Sequence, residues 1–382
     1  MAKISEWLGD DFSKNFITND TNQKLIDFCG KHESVYIFGA GKVGKGIKLY
    51  LDQCEISVSG FVTSDTLDEF RKIYKQGEVG VVMGLNDMNL LEVLPLIKSF
   101  TSERDLFIAP TEYRERLGRF SAEHIRNNCE LGVYIVSHCN MACKGCRTFS
   151  PINRPDYYEY TQYVNDMEQI KNLGLEIRRI NISGGEPYLH PNLFEIFKIT
   201  RKLFPLLEIR CYTNGMLLSK LHESQLKQLV DLDIITIITE YPLTVNINQS
   251  FYPKADAIGL KYSVVSFEKS KAFISVKLDS SNLSPKYDFY NCFCYHSSVT
   301  FFLFRGRIYG CGRPIFIEHI NQRFNMDFKV RTGDYINIYN TTPEELYNFK
   351  VTRHPFCDYH NSENCSLFEW DISERRAEEW VL

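Results

Sequence analysis

No stretch of this 382-residue chain is apolar for the roughly 20 residues that a membrane-spanning helix needs. The opening MAKISEWLGDDFSKNF lacks the apolar core of a secretion signal, so a cytoplasmic protein is expected. Neither sign of charge is in large excess: 44 Lys and Arg against 48 Asp and Glu leave −4. That balance argues against a broad nucleic-acid surface or a polybasic membrane anchor, so neither partner is expected. The nine histidines form no H-x3-H pair, and there is no internal repeat, low-complexity tract or long Pro/Ser linker. What the chain does have is 14% aromatic residues and 12 cysteines. With no secretion signal, that many cysteines read as reduced thiols, some of them metal ligands, and not as a disulfide framework.

The length allows two or three domains. Residues 1–128 read as one α/β unit. The strand Val35-Tyr36-Ile37-Phe38 runs into Gly39-Ala40-Gly41-Lys42-Val43-Gly44 and then a helix, and a second strand ends at Ser64-Asp65. Gly39, Gly41 and Gly44, with Asp65 following the next strand, have the spacing of a dinucleotide fingerprint. There the glycines admit a pyrophosphate and the acid meets a ribose. The unit is short for a whole dinucleotide fold, so nucleotide binding and a structural or docking role both stay open. A second βα series spans 129–285, with strands expected at Val133–Val136, Arg179–Ser183, Leu207–Tyr212, Ile234–Thr239 and Tyr262–Val265. Repeated βα units suggest a barrel or part of one, with chemistry at the carboxyl ends of its strands. In 286–382 the pattern changes to a hairpin across Arg305-Gly306, with a polar helix expected at Ser373–Trp380.

The strand Val133–Val136 leads directly into Cys139, Cys143 and Cys146, spaced C-x3-C-x2-C. A short loop can aim three such thiolates at one centre. Three thiolates hold three irons of a 4Fe–4S cube and leave the fourth open. Part of a zinc site is the other reading, although zinc is commonly held by paired C-x2-C units and no fourth ligand but His138 is near. Gly184-Gly185-Glu186-Pro187 follows the second strand of this series, Thr213-Asn214-Gly215 the third, and Glu240 the fourth.

These motifs, in this order at successive strand ends, resemble the radical S-adenosylmethionine (SAM) superfamily. The resemblance covers roughly residues 130–370 and is strongest up to 240. It implies a partial (β/α)6 TIM-like barrel, preceded by the Rossmann-like domain and followed by a small auxiliary-cluster domain. It further implies that Cys139, Cys143 and Cys146 hold the SAM-binding cluster. Gly184, Gly185, Glu186 and Pro187, with Thr213, Asn214 and Glu240, would then line the SAM site. There the glycines permit close backbone approach and the Glu186 carboxylate meets the methionine ammonium. One departure is Gly145, where many members place a bulky residue against adenine; Phe149 is a candidate substitute.

Cys292, Cys294, Cys311, Cys357 and Cys365, arranged around the hairpin, look like a twitch or SPASM auxiliary domain. Four of the five would hold one further 4Fe–4S cluster, with His360 as a rarer substitute. Cys29, Cys54, Cys129 and Cys211 read as packed thiols. The activity implied is reductive cleavage of SAM to a 5′-deoxyadenosyl radical, which abstracts hydrogen from a substrate C–H bond. Flavodoxin or ferredoxin is the expected reductant. The glycine-loop unit does not read as a peptide-binding domain. Oxidation or epimerisation of a small carbohydrate-like or nucleotide-linked substrate is therefore favoured over a peptide substrate. A non-catalytic iron–sulfur or zinc protein is a third reading, and an intact GGEP-type element argues against it.

Overall fold

A computed structural model describes residues 19–119, 121–266, 272–281 and 299–382. The chain divides into two compact units. The first runs to Ile125 and takes in Val351–Arg353, and the second holds the remaining described residues from Arg126 to Leu382.

The first unit is a four-stranded parallel sheet in the order β2-β1-β3-β4. Its strands are β1 (Ser34–Phe38), β2 (Gly60–Val62), β3 (Val79–Met83) and β4 (Leu106–Phe107). Strand β3 is apolar throughout and buried throughout, as a central parallel strand covered on both faces should be. The chain leaves β1 through helix Lys42–Gln53 to reach β2 on one side, then returns to β3 on the other. This reversal next to β1 is where open α/β sheets form a crevice at their carboxyl edge. Gly44 is required there, because a Cβ would lie 1.8 Å from the Gly39 carbonyl oxygen.

The second unit is built on one eight-stranded sheet, ordered β13-β12-β11-β5-β6-β7-β8-β9. Five strands run parallel in sequence order: β5 (Glu130–Val136), β6 (Arg179–Gly184), β7 (Glu208–Thr213), β8 (Ile234–Thr239) and β9 (Tyr262–Val265). The expected strands therefore stand within a few residues of their predicted bounds. Helices Tyr160–Leu173, Leu193–Leu203, Glu223–Asp231 and Val245–Ala257 form the crossovers. Val133, Ile135, Ile180, Ile182, Ile209 and Cys211 fill the interior, each aliphatic one worth about 1.5–3 kcal/mol of burial.

The sixth parallel strand, β11 (Thr300–Phe304), does not follow β9 but pairs with β5 at the other side of the series. From it β12 (Arg307–Tyr309) and β13 (Tyr335–Asn337) continue antiparallel. The described part of residues 286–382, expected as a unit of their own, falls in the second unit apart from Val351–Arg353, and three of its strands extend that unit's sheet. The turn between β11 and β12 has φ of 49° at Arg305 and 75° at Gly306, the mirror-image geometry that suits a tight hairpin. It is pinned by buried Asp166, which accepts from Gly306 N at 2.6 Å, Tyr339 Oη at 2.5 Å, Gln162 Nε2 at 2.8 Å and the Tyr158 hydroxyl. Strands β10 (Ala272–Leu278) and β14 (His360–Glu369) form a separate antiparallel pair. Among the described residues no helix is long and apolar enough to cross a membrane.

Candidate active site

The carboxyl ends of β5 to β8 bring the expected residues together. Past β5 the chain enters the cysteine loop, and past β6 it doubles back onto that loop's first residues. Gly185 N donates to Val136 O at 2.8 Å and Glu186 N donates to His138 O at 3.0 Å. Only glycine fits at 185, since a Cβ would meet the His138 carbonyl oxygen at 1.9 Å. Pro187 then opens a short buried turn with Glu186 as its cap.

Glu186 is wholly buried. Its carboxylate accepts from Thr213 Oγ1 at 2.8 Å, Asn214 N at 3.0 Å and Tyr188 N at 3.2 Å. Burial nevertheless outweighs these bonds and pushes it up to about 7. A cation placed here would restore the charged form. Asn214 turns its side chain the other way, with Nδ2 donating to Asn140 Oδ1 at 2.8 Å and lying 3.6 Å from Cys139 Sγ. Glu240, past β8, is buried and accepts from Tyr252 Oη at 2.8 Å, and Tyr252 stacks on Tyr262.

Cys139, Cys143 and Cys146 are each half-buried and feel one another's charge. Burial above all, then the charges of Glu186, Cys146 and Cys143, pushes Cys139 up to about 12. Burial, then Cys146, takes Cys143 to about 12 as well. Met141 N donates to Cys139 Sγ at 3.4 Å. Trp370 Nε1 is buried and its N–H is directed at the Cys143 thiol, favouring the thiolate. Among the described residues no three Cys, His, Asp or Glu side chains stand ready-placed around a metal ion. The Cys139 and Cys143 thiols, which disfavour their own anionic form, would gain from a cationic cluster whose sulfurs accept hydrogen bonds.

Sequence reasoning missed the C-terminal contribution. Ile372 bridges to Cys143, Lys144 N donates to Asp371 O, and Ser373 N donates to Ala142 O. The segment expected as a solvated helix over Ser373–Trp380 is helical only as a 3-10 turn at Ala377–Glu379. Trp380 is buried, its Nε1 donating to Cys146 O at 3.0 Å. It was also silent on Tyr241, whose hydroxyl is raised by burial and then by Cys143, Cys146, Cys139 and Glu186, and whose ring packs on Trp370. The one available signal was its place immediately after a strand-end carboxylate. Phe149 is no platform at this site. Its ring is fully buried in a hydrophobic cluster with Trp380, which holds a bulky residue at φ 57°. The ring that abuts Gly145 is Phe368, 2.8 Å from where a Cβ would stand. His190 caps a turn, bonding Tyr158 O and Asn192 N.

Of the second cysteine group, Cys292 and Cys294 lie outside the described residues, as does the side chain of Cys365. Cys311 follows β12, and Cys357 lies in the turn Pro355–Tyr359. His354 stands between these segments. Cys357 N donates to its carbonyl, and its imidazole fills the space beside Gly310. Burial, then Lys350, lowers this imidazole to about 3. His360 is buried at the start of β14. Cys29, Cys129 and Cys211 are buried thiols and Cys54 is half-buried. Gly39, Gly41, Gly44 and Asp65 belong to the first unit. Gly41 caps the helix after β1 with nothing within 4 Å of a would-be Cβ, and Asp65 is exposed in the turn after β2.

The carboxyl ends of the parallel strands of one α/β sheet thus carry three thiols, a buried carboxylate and an amide. Residues 133–246 match the model of the Radical SAM superfamily. A GTP 3′,8-cyclase from Chlorobaculum tepidum is 31% identical over 111 residues, 28% of this chain and 29% of that protein. The match therefore spans under a third of the relative's length. Among solved structures, BtrN in complex with AdoMet and 2-DOIA is similar at 20% identity and a TM-score of 0.41, over 67% of this chain and 98% of that one. Streptococcus suis SuiB bound to precursor peptide SuiA is similar at 14% identity and a TM-score of 0.30, over 47% of each chain.

Proposed function

We propose that the chain cleaves SAM reductively and oxidises or epimerises a small carbohydrate-like or nucleotide-linked substrate. The observation that carries this is the meeting of Glu186, Thr213 and Asn214 with the three-cysteine loop at adjoining strand ends. Cys139, Cys143 and Cys146 would hold a 4Fe–4S cluster, which would supply the one electron needed to break the S–C5′ bond of SAM. Glu186 receives the methionine ammonium, which restores its charge. Gly184, Gly185 and Pro187 bring backbone close to that group, and Asn214 and Trp370 offer N–H donors towards the sulfurs. Glu240 meets the ribose hydroxyls. Tyr241, Trp370 and the tail over the cysteine loop exclude water from a reactive intermediate.

Cys311 and Cys357, with Cys365 and one of Cys292 or Cys294, would hold one auxiliary cluster. Gly39, Gly41, Gly44 and Asp65 would receive a nucleotide, and a flavodoxin or ferredoxin would deliver electrons. The test is anaerobic reconstitution with dithionite and SAM. The parent should release 5′-deoxyadenosine and Cys143→Ala should not; equal release from both, or from neither, overturns the reading. Iron retained by the Cys139/Cys143/Cys146 triple-alanine variant reports the auxiliary cluster.

A further inference from the structure

A pocket of about 350 Å³ opens in the second unit, lined by none of the residues assigned above to the SAM site. It lies at the lower end of the roughly 300–1,000 Å³ of small-ligand sites. Its polar lining is Arg154, Arg323, Arg375, His319 and Gln322, with Ile152 as apolar floor. No carboxylate lines it.

Elsewhere Arg71, Arg114, Arg126, Arg179, Arg305 and Arg331 each lie within ion-pair distance of an Asp or Glu. Several arginines, among them Arg178, Arg201 and Arg307, form no ion pair among the described residues. Arg154, Arg323 and Arg375 have no such partner among the described residues either, but these three line one concavity. In a chain of net charge −4, three guanidinium groups around one cavity outnumber the nearby carboxylates of Asp156 and Glu318 that act on His319 and leave a local cationic well. Each presents a planar fork of donors that matches the oxygens of a phosphoryl group. His319 adds a ring nitrogen and Gln322 an amide.

The pocket's walls are tied to the cysteine loop from two sides. Arg154 O accepts from Ser137 Oγ at 2.7 Å, two residues before Cys139, and Ile152 N donates to Phe149 O. Arg375 N donates to Ser373 Oγ, and Ser373 pairs with Ala142 of the loop. SAM carries no phosphate, so the cofactor of the neighbouring site does not meet this demand.

We infer that this pocket binds the phosphoryl dianion of a phosphorylated small molecule, either a phosphomonoester or a nucleoside diphosphate. The test titrates the full-length reconstituted protein calorimetrically with pyrophosphate, glucose 6-phosphate, uridine diphosphate and citrate. Saturable binding of a phosphate compound is expected, weakened about tenfold or more in Arg323→Ala and in Arg375→Ala, as removal of one charge-assisted bond predicts. Arg323→Lys should recover part of the loss, and Lys227→Ala, an exposed cation on another helix, should bind as the parent does. Tighter binding of glucose 6-phosphate or of uridine diphosphate assigns the source of the phosphate, and either supports the inference. It is overturned if no phosphate compound binds saturably, if both arginine variants bind within twofold of the parent, or if citrate binds as tightly and loses as much. Both arginines are exposed, so a melting temperature equal to the parent's separates lost binding from lost fold. The titration involves no turnover, so its failure leaves SAM cleavage untouched, and a failure to release 5′-deoxyadenosine leaves this site untouched.

Discussion

Glu186 is the residue on which most of the site's electrostatics turn. Its carboxyl stands near 7 in the fold against an ordinary 4.5, so the native state holds the proton more tightly than the unfolded one. Its stabilising contribution is complete below about pH 4.5 and disappears as pH rises through 7, a loss of about 3 kcal/mol at 1.36 kcal/mol per unit. Urea unfolding of the SAM-free protein should therefore show a parent that weakens relative to Glu186→Gln between pH 5 and 8. Parallel curves for the two would contradict the burial argument. Gly185 makes a sharper demand. Gly185→Ala forces a methyl into the His138 carbonyl, backbone against backbone, and should cost about 3 kcal/mol along with most of the iron bound per chain. Normal iron content in that variant would show that the loop has room to shift.

At the scale of elements, the β11–β12 hairpin depends on a carboxylate from another part of the chain. Asp166 lies on the first crossover helix of the second unit and collects two tyrosine hydroxyls, an amide and the turn's own N–H. Asp166→Ala strands several buried donors and should destabilise the protein by about 3 kcal/mol or more, read as a lower denaturation midpoint. Tyr339→Phe removes a single partner and should cost about 1 kcal/mol. Arg305-Gly306 was legible as a turn because glycine admits positive φ, and the strands beside it were legible from their apolar runs. The pairing of β11 with β5 was not, because hydrophobic alternation says which face is buried and nothing about which neighbour supplies the hydrogen bonds.

For the molecule as a whole, SAM at a hundred times its dissociation constant should raise unfolding stability by about 2.7 kcal/mol. Protection from proteolysis should concentrate in fragments from residues 126–382, and no shift in either measure would contradict a formed SAM site. The site residues at strand ends were readable because local order along a βα series places successive motifs side by side: Cys139, Glu186 and Asn214 needed only that logic. Trp370, Phe368 and Ile372 were invisible because they reach the cysteine loop from more than 220 residues further along the chain. They stand ahead of a tail whose acid–base alternation over residues 373–379 looks like a solvated helix. Only the fold reveals that the alternation sits between buried anchors at Ser373 and Trp380. That tail also sets a clock. Trp380 lies 234 residues beyond Cys146, which at about 5–20 residues per second is roughly ten to fifty seconds of synthesis. Throughout that interval the cysteine loop leaves the ribosome without its cover. A cluster held by those thiols would stay open to solvent and oxygen until the chain is finished, because its cover is the last part to be made.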